Sequence, residues 1–195
     1  MTLNIRLAEI TDQAAIAKII HLSARELSRN HYTPEQIDAA LAHVFGFDTS
    51  LIEDGTYFIA EIAGKAVGCG GWSKRRTLFG GDQFANRDSR LLDPEVDPAR
   101  IRAFFVHPDH ARQGIGRAIL ACCETEAAHH RFGAFELMST LPGVEFYRAA
   151  GYVPGEPFAF RTPSDVDLGF VPMRKMVSAP TVSVAPSLGW RRGRI

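Results

Sequence analysis

Residues 101–120 read IRAFFVHPDHARQGIGRAIL, and the reading of this stretch decides the fold. Ile101, Phe104, Phe105 and Val106 have the composition of a strand over residues 101–106. Residues 107–113 are polar and turn-like. From Gly114 to about residue 131, Ile115, Ala118, Ile119 and Cys122 recur at helical spacing. A strand, a glycine-bearing turn and a helix start bring several backbone N–H groups and the positive end of a helix dipole to one point, which suits a phosphate. A Cβ at Gly114 or Gly116 would obstruct a pyrophosphate approaching the backbone, while Arg112, Gln113 and Arg117 can add charge or donors. The same pattern alone also makes a plain tight turn into a helix. Two other phosphate loops do not fit: no Lys-Ser/Thr pair follows Gly116, and the three-glycine dinucleotide fingerprint is incomplete.

Upstream, Ile5, Leu7 and Ala8 give a short strand signal, and Thr11-Asp12 offers N-cap chemistry for a helix over residues 12–29 bearing Ile16, Ile19, Ile20 and Leu27. Thr33-Pro34-Glu35-Gln36 opens a second helix with Ile37, Leu41 and Val44 on one face, and Gly46 is its stop. Residues 56–62 and 65–72 form a hairpin about Ala63-Gly64, its second strand weakened by Gly68, Gly70 and Gly71. Residues 74–98 exceed an ordinary connection. Arg75 and Arg76, with Trp72, Phe79 and Phe84, either shape an acceptor pocket there or simply pack the loop. Downstream come a strand over 134–138, a short helix over 142–150, a strand entered at Gly151-Tyr152-Val153, and a closing strand over 168–177. Residues 1–177 are expected to form one domain, with 178–195 a flexible Ser/Pro/Arg-rich tail.

Taken with a second motif, Phe146-Tyr147-Arg148-Ala149-Ala150-Gly151-Tyr152, the stretch from Phe104 to Leu120 resembles the acyl-CoA loop of the GNAT superfamily of N-acetyltransferases. The resemblance is sharpest over residues 101–153. It implies an α/β (α+β) fold: a central twisted, mixed, mostly antiparallel sheet with helices on both faces, whose strands near Phe105 and Leu137 splay apart. Pantetheine then pairs with the exposed backbone of the first. Implied acetyl-CoA contacts are Phe104, Phe105, Val106, Arg112, Gln113, Gly114, Ile115, Gly116, Arg117, Thr140 and Tyr147. Two positions depart from the family pattern. Ala111 stands where Arg or Gln is usual, leaving Arg112 or Gln113 to compensate, and Thr140 stands where Asn is frequent.

The implied reaction moves acetyl from acetyl-CoA to a primary amine of a small molecule or peptide, by direct attack in a ternary complex. Tyr147 matches the position whose phenol serves the departing thiolate as general acid. A backbone N–H near Phe105 or Val106 would meet the oxyanion. The acid that some members carry on the strand before the loop is missing from residues 101–106, so a water relay is expected, with Glu61 and His107 the side-chain candidates for receiving a proton. The competing classes are a non-catalytic acyl-CoA binding or sensing domain and an assembly domain with a decayed loop.

Composition narrows the partners. Lys plus Arg and Asp plus Glu both number 22 in 195 residues, so no net field favours nucleic acid or an anionic membrane, and the basic run Arg191-Arg192-Gly193-Arg194 is short. With no apolar run near the roughly 20 residues that span a bilayer and no signal-like start, a cytoplasmic protein is expected. Cys69, Cys122 and Cys123 read as reduced thiols. Adjacent helical residues such as His129 and His130 point about 100° apart, so no metal site is expected. A homodimer is compatible with this reading.

Overall fold

The computed structural model describes residues 2–85 and 87–177. The expected tail lies outside the described residues. In chain order the elements are β1 (Leu3–Leu7), a 3-10 turn (Ile10–Asp12), α1 (Gln13–Leu27), α2 (Pro34–His43), α3 (Thr49–Glu53), β2 (Tyr57–Ile62), β3 (Lys65–Ser73) and β4 (Ala99–Val106). A second 3-10 turn (Pro108–His110), α4 (Ile115–His129), β5 (Ala134–Thr140), a third (Leu141–Gly143), α5 (Val144–Ala149), β6 (Val153–Pro154), β7 (Phe158–Arg161) and β8 (Asp167–Met176) follow. The strands form a single sheet ordered β1-β2-β3-β4-β5-β8-β6, with β7 also paired to β8. Every pairing is antiparallel except β4 with β5. This is the mixed, mostly antiparallel sheet that the sequence implies.

Helical periodicity sorts the core onto two faces. On α4, Ile115, Ile119, Cys123 and Ala127 bury against Phe58, Ala60, Val67 and Ile101. On α1, Ile16, Ile19 and Ile20 bury against Tyr57 and Ile59, which alternate with Phe58 and Ala60 on β2, and against Cys69 on β3. Each large aliphatic side chain so enclosed contributes about 1.5–3 kcal/mol. The α2 start is the expected one: Thr33 Oγ1 accepts from Gln36 N–H at 3.2 Å, and Gln36 Oε1 accepts from Thr33 N–H at 3.0 Å. The α1 start differs. Asp12 makes no side-chain cap to α1; its carboxylate accepts instead from Glu9 N–H at 2.8 Å and from Arg6 at 2.7 and 2.9 Å.

Two elements were not expected from the sequence. The short α3 begins where Asp82, 33 residues away, accepts from Thr49 N–H at 3.0 Å. Strand β7 arises because Thr162 closes a tight turn, its N–H reaching Val166 O at 3.0 Å. Residues 74–98 are also more ordered than a plain loop. They leave and return as a paired excursion: Arg75 bridges Leu91, and Leu92 N–H donates to Lys74 O at 2.8 Å. Its tip is laid along the segment after α2 by Gly81 N–H to Val44 O at 2.8 Å and Asp82 N–H to Phe47 O at 2.9 Å.

Candidate active site

Strands β4 and β5 stay in register only at Ala99 with Phe135 and Arg100 with Glu136. Beyond that point β5 continues beside β8 while β4 continues beside β3. The β5-facing backbone edge of residues 101–106 therefore has no strand partner among the described residues. An enclosed peptide group left unpaired costs about 1–3 kcal/mol, so such an edge favours a ligand with amide groups of its own.

A bulge shapes the same strand. The β3–β4 register steps from Cys69 opposite Phe105 to Gly71 opposite Arg102, which places an extra residue in β4. Ala103 absorbs it at φ 54°, a left-handed conformation that costs a non-glycine residue about 1–2 kcal/mol. Across the ladder, a Cβ at Gly70 would lie 2.7 Å from the Phe104 ring, so the glycine that weakens β3 in the sequence gives Phe104 its seat.

At the end of β4 the chain turns through His107, whose N–H holds Val67 O at 2.9 Å, and enters α4. Gly114 is the N-cap of α4 at φ 82° and brings no side-chain cap, leaving first-turn N–H groups available. Arg112 is also left-handed, at φ 63°. Arg112, Gln113 and Gly114 are exposed, as an anion site requires. Ile115 is not: its side chain is core, and only its backbone is placed to serve a ligand. Arg117 donates to Ala149 O at 3.0 Å and so ties the helix start to the end of α5.

A cavity of about 250 Å³ occupies the space between the parted strands. Phe104, Phe105, Val106, Gly116, Thr140 and Tyr147, all expected at the site, line it. Tyr147 sits on α5 among Phe146, Phe104 and Tyr152, with ring centroids 4.8, 6.2 and 5.6 Å away. Burial, and then the neighbouring Cys123, push its phenol well above its ordinary pKa. Further along, residues of α1, Phe45 and the tip of the excursion at Phe79 and Gly80 form the other wall. Nearby in the fold, Tyr32 ties α5's approach to β8: its hydroxyl donates to Gly169 O at 2.6 Å and accepts from Leu141 N–H at 2.9 Å.

The proton-acceptor candidates lie elsewhere. Glu61, on β2, accepts from Arg6 at 2.7 Å and does not line the cavity. His107 accepts from Asp109 N–H at 3.3 Å, capping the 3-10 turn, and does not line it either. Among the loop candidates Phe79 lines the cavity, with Phe84 packed behind it at 4.8 Å. Trp72 is buried instead beside His130 and Phe132, Arg75 is held by Asp54 at 2.7 Å, and Arg76 faces Asp97. Arg102 also lines the cavity although the sequence reading does not single it out; a cation inside the otherwise apolar run 101–106 was the available signal.

The description of the acetyltransferase (GNAT) family matches residues 17–152 of the chain. The chain belongs to the GNAT family. Solved structures agree with this GNAT fold. A GCN5-related N-acetyltransferase from Rhodopseudomonas palustris is 20% identical over 91% of this chain and 97% of its own, with a TM-score of 0.67. PaiA N-acetyltransferase from Thermoplasma acidophilum, solved in complex with coenzyme A, is 14% identical over 91% and 100%, at 0.61. YncA, a putative acetyltransferase from Salmonella typhimurium solved with acetyl-CoA, is 16% identical over 97% and 100%, at 0.59. No curated protein matches the chain. Among its described residues, this GNAT protein has no helix long and apolar enough to cross a membrane and no cluster of three or more His, Cys, Asp or Glu suited to a metal.

Proposed function

We propose that the protein transfers an acetyl group from acetyl-CoA to a primary amine, the two substrates meeting between β4 and β5. One observation carries this reading: an unpaired β4 edge runs from an uncapped helix start to a buried tyrosine along a single cavity. Residues 114–117 would take the pyrophosphate on backbone N–H groups, with Arg112, Gln113 and Arg117 adding donors. The unpaired edge of residues 101–106 would take the pantetheine amides, and backbone N–H groups near Phe105 and Val106 the oxyanion. When bound, acetyl-CoA supplies the thioester carbonyl. Tyr147 keeps its proton through the neutral range because burial disfavours the phenolate; burial also makes it a weaker acid, so its hydroxyl serves the departing thiolate as a hydrogen-bond donor that yields the proton only as thiolate charge develops.

The amine must arrive as the free base. No carboxylate or imidazole is among the described residues lining the cavity. An apolar wall itself lowers an amine's pKa by desolvating the ammonium form, so a water relay or bulk water suffices for the proton. The rate should then rise with pH along the acceptor's own titration rather than that of a protein group. The same observation favours a second reading, acyl-CoA binding without turnover. Thiol release by the wild type separates the two, and Tyr147→Phe tests the acid: transfer through Tyr147 predicts a fall in kcat of about 100-fold or more with CoA binding retained. Turnover unchanged in the variant removes Tyr147 as the acid, and no thiol release by the wild type on any amine leaves binding alone.

A further inference from the structure

Arg102 is the one charged residue among the described residues lining the cavity, and its guanidinium is packed within the wall, the side chain only 1% exposed. Its Nη2 donates to the Asp48 carboxylate and to Gly80 O, the latter at 2.6 Å. Its Nε and Nη1 are buried with no partner. Asp48 does not belong to Arg102 alone: its other oxygen accepts from Arg87 at 2.6 Å, so one buried carboxylate serves two guanidiniums. The next acid, Asp82, also held by Thr49, bonds Arg87 at 3.3 Å but not Arg102, and is 44% exposed, where solvent screens it. The inner end of this network therefore holds a positive charge with N–H groups to spare.

A buried charged donor left unmade is costly and calls for a partner. The surrounding wall is mainly apolar, with Leu27, Phe45, Phe79, Met138 and Phe170 beside the neutral hydroxyls of Ser23 and Ser28. A polycationic acceptor would be desolvated there beside a cation and meet no acid. We infer that the acceptor carries a carboxylate next to its amine on an apolar body, and that Arg102 receives that carboxylate. Free α-amino acids with apolar or aromatic side chains have this form; a peptide N-terminus, with an amide at that place, does not. The inference rests on the acetyl-transfer reading of the same cavity.

The test compares L-phenylalanine, its carboxamide and spermidine as acceptors with acetyl-CoA, following thiol release. Wild-type kcat/KM should favour the free acid over the amide by about tenfold to a hundredfold, the worth of one to two charged hydrogen bonds, with spermidine lower still. Arg102→Gln should collapse the acid-to-amide ratio toward one, its folding verified by CoA-induced thermal stabilisation. Should that variant not fold, the wild-type ratio decides. An amide acetylated as well as the acid, a preference for spermidine, or a ratio unchanged in a folded Arg102→Gln protein overturns the assignment and leaves acetyl transfer standing. No CoA stabilisation and no turnover on any amine would instead bring down acetyl transfer itself.

Discussion

Gly116→Ala should stabilise the free protein while weakening its hold on CoA. Gly116 is the second residue of α4, where alanine is preferred over glycine by up to about 1 kcal/mol. An added Cβ would meet Phe146 carbons at 3.4 Å and Val106 Cγ2 at 3.7 Å, so the fold can accept the methyl. A gain of about 0.5–1 kcal/mol corresponds to a rise in Tm of roughly 1–4 °C for a chain of this size. Gly116, Val106 and Phe146 also line the cavity, so the methyl takes up room where a pyrophosphate must approach the backbone. Each tenfold loss of affinity removes about 1.4 kcal/mol from the stabilisation given by a fixed excess of CoA. Thermal unfolding with and without CoA reads both effects at once: the free curve moves up and the CoA increment shrinks, with titration calorimetry giving Kd directly. A CoA increment equal to that of the wild type would refute the placement of the pyrophosphate at this helix start.

Asp48→Ala should cost about 3–5 kcal/mol, because it strands Arg102 as a buried unpaired charge, and Tm should fall by roughly 10 °C or more; the double variant Asp48→Ala/Arg102→Met should recover part of the loss in the same melt. Native thiol titration should find Cys122 the most reactive cysteine, since Cys69 and Cys123 are fully enclosed and burial pushes the Cys69 thiol up to about 12; a fast-reacting Cys69 would contradict its packing. Asp12 is held below its ordinary value of 3.8 by the hydrogen bond from Arg6, so its contribution to stability is complete above that value and is lost as the pH falls through the depressed folded one. Asp12→Asn should therefore lower stability at neutral pH and converge with the wild type in acid, as read by urea melts across the range.

Legibility in the sequence followed the range of the interactions. The loop from His107 to Gly116 and the helix after it are encoded locally, by glycine, proline and a 3.6-residue period, and they appear within a residue or two of where the sequence places them. The place of Tyr147 in the cavity wall was legible because a short motif carries it. The bulge at Ala103 was not, since alanine has no preference for a positive φ and the strain is imposed by pairing with β3. Glu61 looked free in the sequence because its partner Arg6 lies 55 residues away across the β1–β2 ladder. Arg102 and Asp48 are 54 residues apart, and their union depends on the excursion folding back over both. Local chemistry thus pointed to the helix start and Tyr147, and tertiary assembly made the cavity wall that faces them.

The excursion over residues 74–92 has a consequence for how this molecule can change. It leaves and rejoins the body at neighbouring points, clasped by Arg75 with Leu91 and by Lys74 with Leu92, and only its far end reaches the cavity wall. The residues proposed to hold acetyl-CoA sit on β4, α4 and α5, a separate run of chain. The excursion is in effect an interchangeable part with a fixed socket: replacing its tip between the two clasps would redraw which amine fits while the donor's grip stays as it is.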